Sequence, residues 1–288
     1  MFRFAPRFIA LSFATIAYPA LAAGDLLVAP TRVVLDGPRG TEVFLNNVGQ
    51  QPATYRISME LKRMLPSGQV EDVAPDAASD KEKATLAMIT YAPRRVTLAP
   101  NQPQAIRIGV RPPADLPDGE YRAHILFRAI PDANAAVPAT AGPTQGVSIA
   151  LTPIYGVTIP IIVRKGSLKV TAAISGIQKV RIDPTTNAIL TAKAKPGEAA
   201  PVDAISFTLA RTGTRSTYGR IRVTKAGIAK PLFEARGIAV YTDVAARVVT
   251  IPIPPEVAAQ LAGPTRVEYL EDIDTGGGMI AEAQVVIR

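Results

Sequence analysis

The chain predicts an all-β fold of two sandwich domains, and three features carry that prediction. Short runs of alternating apolar residues recur along its 288 residues, separated by Gly, Pro, Asn and Asp. Long stretches with helical spacing are missing; only a turn or two near Ser79–Met88 and Pro255–Leu261 departs from strand patterning. The length suits two domains of ordinary size, each able to bury its own core.

The runs read in order as Leu26–Leu35, Thr41–Leu45, Ala53–Met59, Ala105–Val110 and Tyr121–Phe127, followed by a long segment from Val147 to Arg164. After Gly166 come Leu168–Ala173, Ala188–Ala194, Ala204–Leu209, Gly219–Val223, Ala246–Ile251, Thr265–Leu270 and Ala281–Ile287. Arg164-Lys165-Gly166 ends the long strand and precedes a fresh series of short ones. It is therefore the expected boundary between a first domain, residues 23–165, and a second, residues 166–288.

Residues 1–22 are read as a secretory signal peptide. Arg3 and Arg7 form a basic start, Phe8–Ile16 an apolar stretch, and Ala20-Leu21-Ala22 a small-residue cleavage site. Removing two arginines and no acid lowers the formal charge from +8 to +6. The cations are scattered and aromatics are few, so the charge points to solubility and attraction to acidic partners, not to nucleic acid. With no cysteine and a single histidine, His124, thiolate chemistry and a multi-histidine zinc site are excluded. No cofactor, metal or small-molecule substrate is expected.

The segment from Val147 to Val163 carries an apolar residue at every second position except Pro153. That is the period of an extended strand, and it is far longer than the roughly 5–6 residues a sandwich strand needs. The surplus must pair elsewhere or lie exposed as an apolar edge, which is either an aggregation hazard or a site for another chain's backbone. Pro153 and Pro160 cannot donate to a ladder, so part of the strand is expected at an edge or a bend. Pro153 divides it: Val157, Ile159, Ile161 and Val163 are expected to pack into the first domain. A stretch rich in Pro, Ala, Gly and Thr, residues 131–146, leads into it; no residue from Ala133 to Val163 is charged, but four prolines there exclude a membrane helix.

Three further residues or motifs carry candidate chemistry. Arg32 lies within Leu26–Leu35, on the face of Val28 and Val34, and is either a residue at the sheet rim reaching water or a cation in need of a carboxylate. Asp274-Thr275-Gly276 matches half of an aspartic-protease pair, but it runs on into Gly277-Gly278 and reads better as a hairpin turn. His124 lacks a nucleophile elbow elsewhere in the chain and is read as structural. No catalytic residues are expected.

Several segments resemble, in order and spacing, the periplasmic chaperones of the chaperone–usher pathway of pilus assembly. Ala29–Gly37 is similar to the family's first strand, and Tyr91-Ala92-Pro93 through Leu98-Ala99-Pro100 to its P-P-x-x-x-L-x-P-G stretch. Leu116–Tyr121 and Phe127–Pro131 resemble its L-P-x-D-R-E-S and R-E-I-P segments, and Ser148–Leu151 the start of its seventh strand. The resemblance implies two immunoglobulin-like domains in a boomerang arrangement. The implied function is capture of pilus subunits by donor-strand complementation and their delivery to an outer-membrane usher. It makes Val147, Ile149 and Leu151 the donor side chains, and Arg32 the anchor for the subunit's terminal carboxylate. The family's second anchoring cation falls near Tyr155, where a hydroxyl stands instead of a lysine. Arg164 and Lys165, the next cations, are expected to lie too far along the strand at about 3.3 Å per residue. Whether the free chain self-associates to cover its edge is left open. The alternative is a structural or adhesive exported protein with two such domains.

Overall fold

The computed structural model describes residues 26–37, 39–131, 154–183, 200–272 and 277–287. Among these the architecture is two β-sandwiches. The first is built from β1 (Leu26–Ala29), β2 (Val33–Asp36), β3 (Thr41–Asn47), β4 (Ala53–Glu60), β5 (Lys62–Met64), β6 (Val70–Asp72), β7 (Ile89–Ala92), β8 (Arg95–Leu98), β9 (Pro103–Val110), β10 (Gly119–Ile130) and β11 (Gly156–Lys165). Its two layers have strand orders β1-β3-β9-β7 and β2-β11-β10-β4-β8, with β5-β6 as a separate hairpin. The second sandwich contains β12 (Val170–Ile182), β13 (Val202–Gly213), β14 (Thr217–Lys225), β15 (Phe233–Val240), β16 (Ala246–Pro252), β17 (Gly263–Glu271) and β18 (Met279–Ile287). Its layers are β12-β13-β16 and β15-β14-β17-β18, the three-plus-four division of an immunoglobulin-like domain.

Alternation predicts most of these strands, with one instructive departure. The run Leu26–Leu35 is two strands, not one: β1 pairs antiparallel with β3, and β2 parallel with β11 in the other layer. The chain crosses between layers at Pro30, which has no N–H to place in either ladder. Alternation is lost at the crossing. Val28 is buried in the first domain's core, whereas Val34 packs toward the second domain, so Arg32 shares a face with Val34 only. Helix α1 (Asp80–Met88) occupies the predicted helical turns, closed at its start by a reciprocal Ser79–Glu82 capping box. The second predicted turn is the short helix α2 (Pro255–Ala258).

Each sandwich has its own core. Val43, Leu45, Ile106, Ile125, Phe127 and Ile161 are essentially inaccessible in the first, and Ile205, Leu209, Ile221, Val267 and Tyr269 in the second. Val157, Ile159, Ile161 and Val163 join the first core, as their period predicts. The Tyr121 hydroxyl donates to the Pro117 carbonyl at 2.7 Å, the tyrosine corner that braces an immunoglobulin-like strand at its start. After β11 the chain turns at Gly166, φ +79°, where an added Cβ would lie 2.0 Å from Asp118 Oδ2.

The outer face of the β10–β11–β2 layer carries the second domain. Met64, Ile162, Ala239 and Tyr241 form a small apolar cluster there, flanked by Val34, Tyr218 and Val244. Asp243 ties the parts together: its carboxylate accepts from the Arg122 guanidinium and, at 2.9 Å, from the Met64 amide. Arg122 also lies 3.7 Å above the Tyr241 ring and donates to the Lys62 carbonyl at 2.9 Å. The β5–β6 turn reaches across, with the Pro66 carbonyl accepting from Val248 N at 2.8 Å. The turn is a Pro-Ser-Gly of hairpin type, with Gly68 in the left-handed region.

Because the Arg122 side chain is only 5% exposed, removing its partner leaves a charge stranded in a poor solvent. Asp243→Asn is expected to destabilise the protein by about 3 kcal/mol in urea unfolding. Arg107→Gln, which breaks the exposed pair with Glu42, is expected to change stability by under about 0.5 kcal/mol.

Candidate functional site

The register of three strands lays out the site as a grid on the outer face of this layer. Glu120, Arg122 and His124 of β10 lie opposite Arg164, Ile162 and Pro160 of β11. Arg164 and Ile162 lie in turn opposite Asp36 and Val34 of β2. One step before the pairing of Val33 with Ile161, Arg32 stands level with Pro160.

Arg32 sits where the second domain meets this face. Its guanidinium carbon is 4.2 Å from the centroid of the Tyr218 ring, close enough for a cation–π contact. Nε and Nη2 are buried and have no hydrogen-bond partner among the described residues. Burial draws the guanidinium's pKa down from its ordinary value; Tyr241, Glu120 and Tyr218 oppose that, and Arg164 adds to it. An arginine nonetheless keeps its charge. A buried cation with open donors is the side chain that an incoming carboxylate would satisfy, bidentately and with charge-assisted hydrogen bonds.

Tyr155 is not brought to Arg32. It lies five residues before Pro160 in β11, about 16 Å along the strand at ~3.3 Å per residue. Its ring is half exposed beside Ile154, and its carbonyl accepts from Ala129 N at 2.9 Å. The tyrosines at Arg32 are Tyr218 and Tyr241 of the second domain, which no motif in the sequence announced. Arg164, expected to be too distant, is near enough for its charge to act on Arg32. Counting on from Ile149–Leu151 sets the second cation's place near Tyr155; the parallel β2–β11 register instead sets Arg32 level with Pro160, towards Arg164 and the second domain.

Arg164 is already engaged. Its Nε donates to Glu120 Oε2 at 3.1 Å, and the same oxygen accepts from Ser216 N at 3.1 Å. The Glu120 side chain is fully buried, so this carboxylate welds β10, β11 and the second domain at one point. Lys165 donates to the carbonyls of Ala114 and Leu116. Arg32 thus has two buried nitrogens left open among the described residues, where Arg122 on the same face has one, Nη1, and is otherwise held by Asp243 and Lys62.

The second half of the site is an edge. β10 covers one side of β11 along its whole length, whereas β2 covers the other only at Ile161–Arg164. Among the described residues, nothing pairs with the open side of Gly156–Pro160. The Ala129–Tyr155 hydrogen bond sets the odd-numbered residues of β11 as those bonded to β10. The even-numbered residues turn outward, so the ring nitrogen of Pro160 faces the open edge and removes no ladder bond. The edge ends where β2 begins, against Arg32. Val147, Ile149 and Leu151, expected as donor side chains, and the triplet Asp274-Thr275-Gly276 lie outside the described residues.

His124 is structural in its surroundings: 5% exposed, with Nδ1 lacking a hydrogen-bond partner among the described residues. Burial, aided by the charges of Arg122 and Lys62, lowers its pKa to about 3.

No family model matches the chain, and no curated protein matches it. Among solved structures, it is similar to the YadV chaperone at 13% identity and a TM-score of 0.45, covering 91% of this chain and 100% of that one. It is similar also to a Salmonella enterica SafA pilin–SafB chaperone complex at 18% identity and 0.43, covering 94% and 98%. The Pseudomonas aeruginosa CupB2 chaperone is similar at 15% and 0.40, covering 91% and 100%.

A histidine held neutral in the fold but free to protonate when unfolded makes stability fall as pH drops. The contribution is fully present above about pH 6.5 and is lost progressively toward pH 3. His124→Gln is expected to flatten the stability–pH curve in that window, measured by urea unfolding at stepped pH; an unchanged slope would contradict a neutral buried His124.

Proposed function

We propose that this chain is a non-enzymatic periplasmic chaperone of pilus or fimbrial subunits, exported by residues 1–22 and acting through domains at 23–165 and 166–288. The observation that carries the reading is the open edge of β11 ending at Arg32, whose buried Nε and Nη2 lack partners among the described residues.

The mechanism follows from strand geometry. An incoming extended segment adds to the open side of β11, where backbone hydrogen bonds supply affinity independent of side chains. β2 already pairs with β11 in parallel. A segment added in the same direction runs from Gly156 toward Pro160 and places its C-terminus at Arg32. The guanidinium then takes the terminal carboxylate, which sets the register along the edge. Specificity comes from apolar side chains at every second position of the lending strand, Val147, Ile149 and Leu151, upstream of the exposed Ile154 and Tyr155. A subunit missing one strand of its own sheet receives the one it lacks, and an outer-membrane usher is the partner that later takes it over. The sequence motifs around Arg32, Leu116–Tyr121 and Phe127–Pro131 support the same reading.

Replacing Arg32 by Ala is expected to weaken capture of a subunit by about 2 kcal/mol or more without unfolding the chaperone. The check is titration with a subunit segment carrying a free or an amidated C-terminus; equal affinity for the two would remove the anchor. A double substitution, Ile149→Asp with Leu151→Asp, is expected to leave the fold intact and abolish recovery of subunits from the periplasm. Undiminished recovery would overturn strand donation.

A further inference from the structure

On the same outer face, four residues from the Arg32 level, three arginines stand side by side. Arg95 of β8 lies opposite Arg56 of β4, and Arg56 opposite Arg128 of β10. All three are exposed, and none forms an ion pair among the described residues. Like charges directly opposite in a sheet are destabilising, and ordinary surfaces intersperse the signs. The next carboxylate along this face, Glu60, lies 3.5 Å from Lys62 instead. The neighbouring row is handled differently: Thr54 and Thr97, one step away, bond to each other at 2.8 Å.

The row leads to the open edge. Arg128 lies opposite Gly156, which carries no side chain to screen it. A strand added to β11 would therefore lie about 10 Å from Arg128, two strand spacings away. An extended arginine and an acidic side chain span that gap together. Arg56 and Arg95 stand behind Arg128 and raise the local potential.

The geometry points to an acidic residue in the captured polypeptide, about four residues before its C-terminus, seated against the Arg128–Arg56–Arg95 row. The inference rests on the edge-capture reading above and names the chemistry of the partner at that site: an extended chain with a terminal carboxylate at Arg32 and a second carboxylate at the level of Gly156. The row gives both steering and register, because a segment shifted by one residue turns the acid to the opposite face.

Two synthetic peptides of about ten residues test it, both alternating in apolar residues and ending in a free carboxylate, differing only in Glu or Gln at the fourth position before the end. Wild-type protein is expected to bind the Glu peptide about tenfold more tightly than the Gln peptide. The preference should shrink between about 0.1 M and about 1 M salt as the Debye length falls from ~10 Å to ~3 Å. In the variant Arg56→Gln, Arg95→Gln, Arg128→Gln the two peptides should bind alike, with the circular dichroism spectrum unchanged. Arg128→Gln alone, which leaves the other two arginines, should abolish most of the preference if the triple variant fails to fold. Equal binding of both peptides by wild type, with Arg32→Ala weakening both, overturns the arginine-row inference and leaves edge capture standing. Failure of both peptides to bind, or binding insensitive to Arg32→Ala, overturns edge capture and this inference with it.

Discussion

The carboxylate of Glu120 is the constraint from which the rest of the site follows. It is fully buried, on the face of β10 that turns away from its own core, and it accepts from Arg164 of β11 and from the Ser216 amide of the second domain. A carboxylate in that position is tolerable only while both donors stay in place. Two positions along the same strand, Arg122 repeats the arrangement with reversed sign, held by Asp243 and stacked on Tyr241. The two charges lie on one strand, and each binds an element of the other domain. The angle between domains is thereby fixed to the register of β10, and Tyr218 arrives over Arg32 as a consequence.

This explains how a charged group can wait unpartnered. Nε and Nη2 of Arg32 are buried without a hydrogen bond among the described residues, an arrangement that folding alone would select against. The Tyr218 face offsets part of that penalty, and the apolar cluster around Ile162 keeps the neighbouring strands from relaxing toward it. The open edge of β11 is maintained by the same device. β2 is too short to cover Gly156–Pro160 because the chain crosses to the other layer at Pro30. One crossing thus sets both the length of the edge and the position of the cation at its end.

Strand content and both cores were legible in the sequence because each buried face alternates with period two. The Val157–Val163 series is the clearest case, and its four residues face the core. Legibility failed where alternation is interrupted or reversed. Leu26–Leu35 reads as one strand, since Pro30 at the crossing is equally compatible with an edge strand or a bulge and does not by itself mark a change of layer. β5 and β6 are three residues each and largely charged, so they have no periodic face to detect. The partners of Arg32 were invisible for a different reason. Tyr218 and Tyr241 lie nearly two hundred residues or more away in sequence, and only the folding of one sandwich against the other brings them there. The arginine row needed strand register: Arg56, Arg95 and Arg128 look scattered along the chain.

Burial at position 32 favours arginine over lysine. Desolvation pulls its pKa downward, and the nearby charge of Arg164 pulls the same way. A lysine in that place would start from a lower value, near 10.4, and would shift readily when buried. It would also present one point charge where a carboxylate in the plane of a strand can accept two parallel N–H bonds. A planar guanidinium can stack on Tyr218 while its edge keeps N–H groups free to donate. On β11, Pro160 stands level with Arg32, and Arg164, four residues on, is committed to Glu120. Tyr218 and Tyr241 of the second domain stand beside Arg32, where a further positive charge would repel it.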